Sequence, residues 1–340
     1  MKLILTALVF IFYFCSFSQK TKTSILVSFY NVENFYDTIN DPKFDDEEFL
    51  PNGANKWNSE KYWKKVENIS KVLSDLGKAN SKLCPTVAGL CEVENETVLK
   101  DLVNSNNLKK CNYDFILYNS RYVRGVDVAL LYQKDRVAVI NSKPYPLIIP
   151  GDSTFTTRDQ LLVSAIIDGE LFHFIVNHWP SRRGGEKRSE PHRIAAATLC
   201  RHIVDSIFKT DSLAKIIIMG DFNDDPTNKS ILEVLKAKPN KVEVKQKELY
   251  NPFYDIFVKK GIGSLAYNDK WNLFDQFIVS YPLISKQFKG YKLIKAAIFN
   301  ASYLLQKNGQ FAGYPFRTYV GNNFIGGYSD HLPSYIILAK

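Results

Sequence analysis

The sequence holds no Walker phosphate loop, no G-x-S-x-G elbow and no G-x-G-x-x-G fingerprint. These absences argue, in turn, against a P-loop nucleotide hydrolase, an elbow-type serine hydrolase and a dinucleotide-dependent oxidoreductase. Cysteine is scarce, with five in 340 residues, and no Cys–His spacing suggests zinc. There is no internal repeat, low-complexity tract or Pro/Gly linker to divide the chain. One domain over residues 23–340 is the simplest reading, although it exceeds the usual ~100–150 residues. A transmembrane helix needs about 20 apolar residues, and the run Leu3–Phe14 is too short for one.

That run belongs to a leader. Lys2 precedes it, and Ser16-Phe17-Ser18 forms a small-residue cleavage site, so residues 1–18 read as a signal peptide cut before Gln19. Phe14 stands where a lipobox before Cys15 wants a small residue, which disfavours lipidation. The expected location is periplasmic or secreted, without stable membrane insertion after cleavage. Export leaves Cys84, Cys91, Cys111 and Cys200, an even number that permits disulfides. Cys91 sits in an apolar strand and reads as a small core residue.

Hydrophobic residues make up 45% of the chain and charged residues 23%, an ordinary balance for a soluble globule. The formal charge of +9 favours polyanions such as nucleic acid, anionic lipid or sugar phosphates.

The chain is organised around Ile216–Pro226, IIIMGDFNDDP. Four apolar residues read as a buried strand ending at Gly220, and strand alternation would point Asp221 and Asn223 the same way. Other stretches repeat the design. The strand Thr23–Phe29 delivers Asn31. The strand Thr86–Val93 carries Glu92, a charge expensive to bury unless it is paired or binds a metal. Val176-Asn177-His178-Trp179-Pro180 ends another strand. The following Ser181–Arg193 loop, with Arg182 and Arg183, suits an anionic ligand; an exposed linker before a helix Arg193–Phe208 is the plainer alternative. Asp275 lies inside the strand Trp271–Ser280, where it needs a partner such as a histidine. Ser329-Asp330-His331 precedes the strand Ser334–Leu338, and adjacent side chains there serve opposite sides. A helix over Ser59–Leu76 is expected, capped by Ser59, ended by Gly77, with Trp63, Val66, Ile69, Leu73 and Leu76 as its core stripe. Asp41–Asn58 reads as an acidic loop.

Carboxylates, amides and imidazoles at strand ends suit a hard divalent cation, Mg²⁺ first, with Mn²⁺ or Ca²⁺ as alternatives. With few carboxylates, water and a substrate phosphate would complete its shell. Metal-assisted hydrolysis of a phosphate ester fits this set.

NVENF, LCEVEN, RGVDVALLY, NHWPS, MGDFND, FDQFIVS and SDHLP occur in order from about Ser24 to Lys340. In that order and spacing they resemble the endonuclease/exonuclease/phosphatase superfamily, which includes exonuclease III-type and pancreatic-type deoxyribonucleases, bacterial sphingomyelinases and inositol polyphosphate 5-phosphatases. The resemblance implies an α/β (α+β) fold, a four-layer αββα sandwich of two mixed sheets packed face to face with helices outside. It implies metal ligation by Glu92, with Asn31 beside it and Asp330 nearby. It implies catalytic roles for Asp221 and Asn223 on the water and phosphate, for His331 paired with Asp275, and for His178. Asn177, Arg182 and Arg183 are expected to meet substrate. His178 leans away from the exonuclease III branch, and Asp269–Asp275 lacks the 5-phosphatase motif. The expectation is an exported metal-dependent phosphodiesterase with nucleic acid as substrate, a probable endonuclease being the narrowest form of it. The alternatives are a phosphatase or sphingomyelinase-type esterase, or a non-catalytic binding protein, which the intact polar set disfavours.

Overall fold

The computed structural model describes residues 23–152 and 154–340. The expected leader, residues 1–18, lies outside them.

Two mixed sheets form the body. In spatial order the first comprises β14 (Lys292–Ile298), β17 (Ser334–Ala339), β1 (Ser24–Phe35), β2 (Val87–Val93), β4 (Asp127–Gln133) and β3 (Tyr113–Leu117). The second comprises β5 (Val137–Tyr145), β6 (Gln160–Ile167), β7 (Glu170–His178), β8 (Lys215–Asp221), β13 (Asp275–Ser280), β10 (Leu249–Tyr250) and β9 (Ala237–Lys238). β1 runs parallel to β2, and β7 parallel to β8, while their other neighbours are antiparallel. These central strands read as near-continuous apolar runs because both of their faces are covered.

Alternation along β7 and β8 shows the layers. Phe174, Val176, Ile217 and Met219 pack with Val27, Phe29 and Leu90 of the first sheet. The intervening Ile175, Ile216 and Ile218 pack outward with Ala196, Ala197, Cys200 and Val204 of helix α3 (Glu186–Thr210). Ile69 and Leu73 of α1 (Ser59–Ala79), with Val98 and Leu102 of α2 (Glu96–Asn104), join the core on the first sheet's side. The sheets approach closely at Gly89, where an added Cβ would lie 2.8 Å from Met219 Sδ and 3.3 Å from Val176 Cγ1. The architecture is the αββα sandwich that the motifs implied. Cys84 and Cys111 are joined in a disulfide, and Cys91 and Cys200 are buried free thiols. Among the described residues, no helix is long and apolar enough to cross a membrane.

Several expectations are corrected. Helix α1 passes through Gly77 to Ala79, and its cap is Asn58, whose Oδ1 accepts from Lys61 N (3.1 Å). Trp63 is 53% exposed, and Tyr62 takes the core position one step around the helix. Helix α3 begins at Glu186, so half of the expected basic loop is helical. Its first turns are tied by Arg193, which donates to Ser189 Oγ (2.7 Å) and Glu186 O (3.0 Å). The stretch Trp271–Ser280 divides: Lys270–Asn272 (β12) forms a hairpin with Leu265–Tyr267 (β11), and Asp275 opens β13 rather than sitting inside a strand. β5 runs through Pro144, tolerated because β5 is an edge strand.

Candidate active site

The polar residues converge where the carboxyl ends of β1, β2, β7 and β8 meet the start of β13 and the loop before β17. Two backbone irregularities aim them. The β2–β4 register shifts between Cys91 and Val93, with Glu92 at φ 63, and the β1–β2 register shifts between Asn31 and Phe35, with Glu33 and Asn34 at φ 51 and 53. Such bulges re-aim a side chain that simple alternation would place elsewhere.

Glu92 Oε1 accepts from Asn31 Nδ2 (3.3 Å) and Oε2 from Asn34 N (2.8 Å). Burial alone would raise its pKa. Arg124, Arg158 and the Asn34 N–H overcome this and hold Glu92 ionised, below the usual glutamate value. Asn31 Nδ2 also donates to Asp221 Oδ2 (3.0 Å), so one amide ties the two carboxylates together. Asn31 Oδ1 accepts from Glu33 N (2.9 Å) and keeps a second lone pair.

Asp221 ends β8, in register with His178 on one side and Asp275 on the other. Its Oδ2 lies 3.6 Å from His178 Nε2 and 3.8 Å from His331 Nε2. Burial pushes its pKa up to about 6; the His331 charge opposes the rise and Asp275 adds to it. His331 Nδ1 is 2.6 Å from Asp275 Oδ2, which also accepts from Ser264 Oγ (2.5 Å). Burial disfavours a charged His331, but Asp275 and Asp221 outweigh it and raise the pKa well above the usual histidine value. His178 goes the other way. Burial, then Arg158 and His331, push it well below that value, and its buried Nδ1 has no hydrogen-bond partner among the described residues. Asp221 is thus flanked by one imidazolium and one neutral imidazole.

Asn223 is not on an extended strand as alternation suggested. The chain turns after Asp221: Asn223 has φ 51, its N–H donates to Asp221 Oδ1 (2.9 Å) and its Nδ2 to Trp179 O (3.0 Å). The Asp side chain folds its own turn. Asp330 is part-exposed, and Arg317 Nη2 lies 3.9 Å from its Oδ2. Ser329 Oγ donates to Asn31 O (2.7 Å) and accepts from His331 N (3.1 Å), which docks the loop of both residues onto β1.

Oxygen donors with unused lone pairs on Glu92, Asp330 and Asn31 fit a hard divalent cation. Single side-chain atoms of Asp221, Asp275 and His331 lie within 4.8 Å of one another. Within that group His331 Nδ1 and Asp275 Oδ2 are already joined, at 2.6 Å.

Two of the expected substrate contacts have other work. Asn177 is fully buried; its Nδ2 donates to Ile175 O and Met219 O (both 3.2 Å), and its Oδ1 accepts from Trp179 Nε1 (3.0 Å). It therefore sets the Trp179 turn and presents nothing to a ligand. Arg182 donates to Asn223 O (2.9 Å), pairs with Asp224, Asp225 and Glu186, and lies over the Phe274 ring, so its charge is committed. Arg183 is exposed.

Arg158 is the site residue without a sequence signal. It sits just before β6, in the register that leads to the end of β7, over the Tyr122 ring (4.0 Å). It is 5% exposed, and among the described residues its Nε has no hydrogen-bond partner and no carboxylate lies within 4.0 Å of it. Only the fold brings it to Glu92 and His178.

The family model described as Endonuclease/Exonuclease/phosphatase family matches residues 26–340. Solved structures share the fold at low identity. A truncated Caenorhabditis elegans TDP2 has TM-score 0.57 and 14% identity, covering 93% of this chain and 98% of that one. D. rerio TDP2 complexed with single strand DNA product has TM-score 0.55 and 13% identity, covering 93% and 99%. A Bacteroides thetaiotaomicron mannosyl-6-phosphatase has TM-score 0.56 and 15% identity, covering 92% and 99%. No curated protein matches the sequence.

Proposed function

The chain belongs to the endonuclease/exonuclease/phosphatase family, and we propose that it is an exported, divalent-metal-dependent phosphodiesterase that hydrolyses DNA or RNA. The observation that carries the chemistry is Asp221 held between His331 and His178, with Asn31 linking it to Glu92. Glu92 and Asp330, with the Asn31 oxygen, would hold the cation, Mg²⁺ first; when bound it neutralises charge on the phosphoryl group.

This chain's own residues do the rest. Asp221 Oδ2 orients the attacking water and accepts its proton. His331, fixed by Asp275 and Ser264, presents a charged N–H to the phosphate or the departing oxygen. Neutral His178 offers a hydrogen bond without adding charge. Asn223, clamped by Asp221, Trp179 and Arg182, keeps a second amide hydrogen for a phosphate oxygen.

Nucleic acid as substrate is supported by the +9 charge and the exposed Arg183, Lys187 and Arg188 beside the site. A fold neighbour holding a single-strand DNA product supports it further. The mannosyl-6-phosphatase neighbour favours the alternative, a phosphatase or sphingomyelinase-type esterase on small or lipid phosphates. The deciding experiment measures turnover by the protein from Gln19 onward on plasmid DNA, structured RNA and bis-p-nitrophenyl phosphate, with Mg²⁺ and with EDTA. Metal-dependent cleavage of a polynucleotide is expected. Activity on the small diester alone would move the substrate to small or lipid phosphates, and silence on all three would sink the enzymatic reading.

A further inference from the structure

The turn from Arg182 to Glu186 and the β11–β12 hairpin face each other across a cleft of about 530 Å³, within the ~300–1,000 Å³ range of ligand sites. Both walls are anchored to the segment that carries Asn223. On one side Arg182 donates to Asn223 O (2.9 Å) and pairs with Asp224 and Asp225. On the other, Asn272 Nδ2 donates to Asp225 Oδ2 (2.8 Å) and Leu273 N to Asp225 Oδ1 (2.7 Å). The cleft therefore opens directly beside the candidate phosphate site.

Its lining has two uncommitted groups. Arg183 is exposed and, among the described residues, makes no ion pair, in contrast to Arg182 next to it. Tyr267 stands 69% exposed at the end of β11. Leu265 and Phe274 give the cleft an apolar floor. A lone exposed tyrosine on a hairpin needs no explanation. One that lines the same cleft as an unpaired guanidinium, one side chain from Asn223, has the composition of a single-strand platform, in which a base stacks on the aromatic and a backbone phosphate meets the cation.

We propose that this cleft is a single-stranded nucleic-acid subsite next to the scissile phosphate, with Tyr267 stacking on a base and Arg183 contacting a backbone phosphate. The inference rests on the nucleic-acid reading above and gives it a strand path along the β11–β12 hairpin. A flexible single strand fits better than a duplex, since stacking on Tyr267 requires a base free of its partner.

The test uses the protein from Gln19 onward and its Tyr267→Ala and Arg183→Ala variants, both at exposed positions. Binding of a short fluorescein-labelled oligothymidylate is followed by anisotropy in EDTA, without turnover, across a salt series. Tyr267→Ala is expected to weaken binding roughly 5- to 100-fold, the worth of one stacked base. Arg183→Ala is expected to flatten the slope of log K against log salt by about 0.7, one single-strand phosphate contact. Metal-dependent turnover of bis-p-nitrophenyl phosphate should stay within about twofold in Tyr267→Ala, because that exposed hairpin side chain is not among the residues gathered around Asp221. Wild-type binding that neither variant changes overturns the subsite alone. A wild type that neither binds nor cleaves the oligomer overturns the nucleic-acid reading, and the subsite with it.

Discussion

At the scale of single residues, Asp221 has no substitute. Its oxygens organise Asn223, Asn31 and both histidines. Asp221→Asn keeps the shape and loses the base, so turnover should fall by at least about 10³-fold with thermal unfolding little changed. Near wild-type turnover by the purified variant would refute the mechanism. Arg158 acts through its charge. Its guanidinium, with that of Arg124, holds Glu92 ionised against burial. Arg158→Met should therefore lower turnover and raise the pH at which activity sets in. A purified variant with full activity and an unchanged pH profile would contradict this. Asp127 gives a pH signature away from the chemistry. Burial pushes its pKa up to about 6, against the pull of its bonds from Ser120. The folded state then binds the proton more tightly than the unfolded chain, so Asp127 contributes stability that is lost as pH rises from about 4 to 6, a span of about 3 kcal/mol. Asp127→Asn, measured by urea unfolding at both ends of that window, should remove that part of the slope.

At the scale of elements, the Ser181–Arg193 segment shows what charge alone does not reveal. A run of arginines reads as a binding loop, yet Arg193 is fully buried with Nε 2.7 Å from Asp224 Oδ1, and Arg182 is spent on the Asn223 turn. Their partners lie some thirty to forty positions along the chain, beyond any local pattern. Removing one partner of a buried pair strands the other, so Arg193→Ala should destabilise by about 3–5 kcal/mol. Arg182→Ala, half-exposed and shared among several carboxylates, should cost less stability but lower kcat by loosening Asn223. Denaturant unfolding and steady-state kinetics separate the two. Glu92 illustrates the converse. The expense of burying a charge in β2 singled it out, but the bulge that re-aims it, with φ 63, is a property of the β2–β4 pairing and leaves no trace in the spacing. Asn177, by the same logic of polar residues at strand ends, looked like a site residue and proved to be the support for Trp179.

At the scale of the whole molecule, the sandwich was legible only through the family resemblance that its ordered motifs carry; the apolar central strands agree with it without specifying it. What stayed hidden is how six strand ends meet: Asn31, Glu92, His178, Asp221, Asp275 and His331 are brought together only when the two sheets pack through Gly89, Met219 and Val176. A cation held between Glu92, on the first sheet, and the loop of Asp330 would tie that edge together, and it would bind the folded chain only. Linkage then requires stabilisation by RT ln(1 + [M]/Kd), about 2.7 kcal/mol at a hundredfold excess over Kd. Mg²⁺ should raise the unfolding temperature of the wild type, and EDTA should reverse it. Glu92→Gln should abolish the shift, whereas Asp275→Asn, on the opposite side of Asp221, should keep it while losing turnover. A shift that survives Glu92→Gln would place the cation elsewhere and leave Glu92 as a part-buried partner for Asn31 and Asn34.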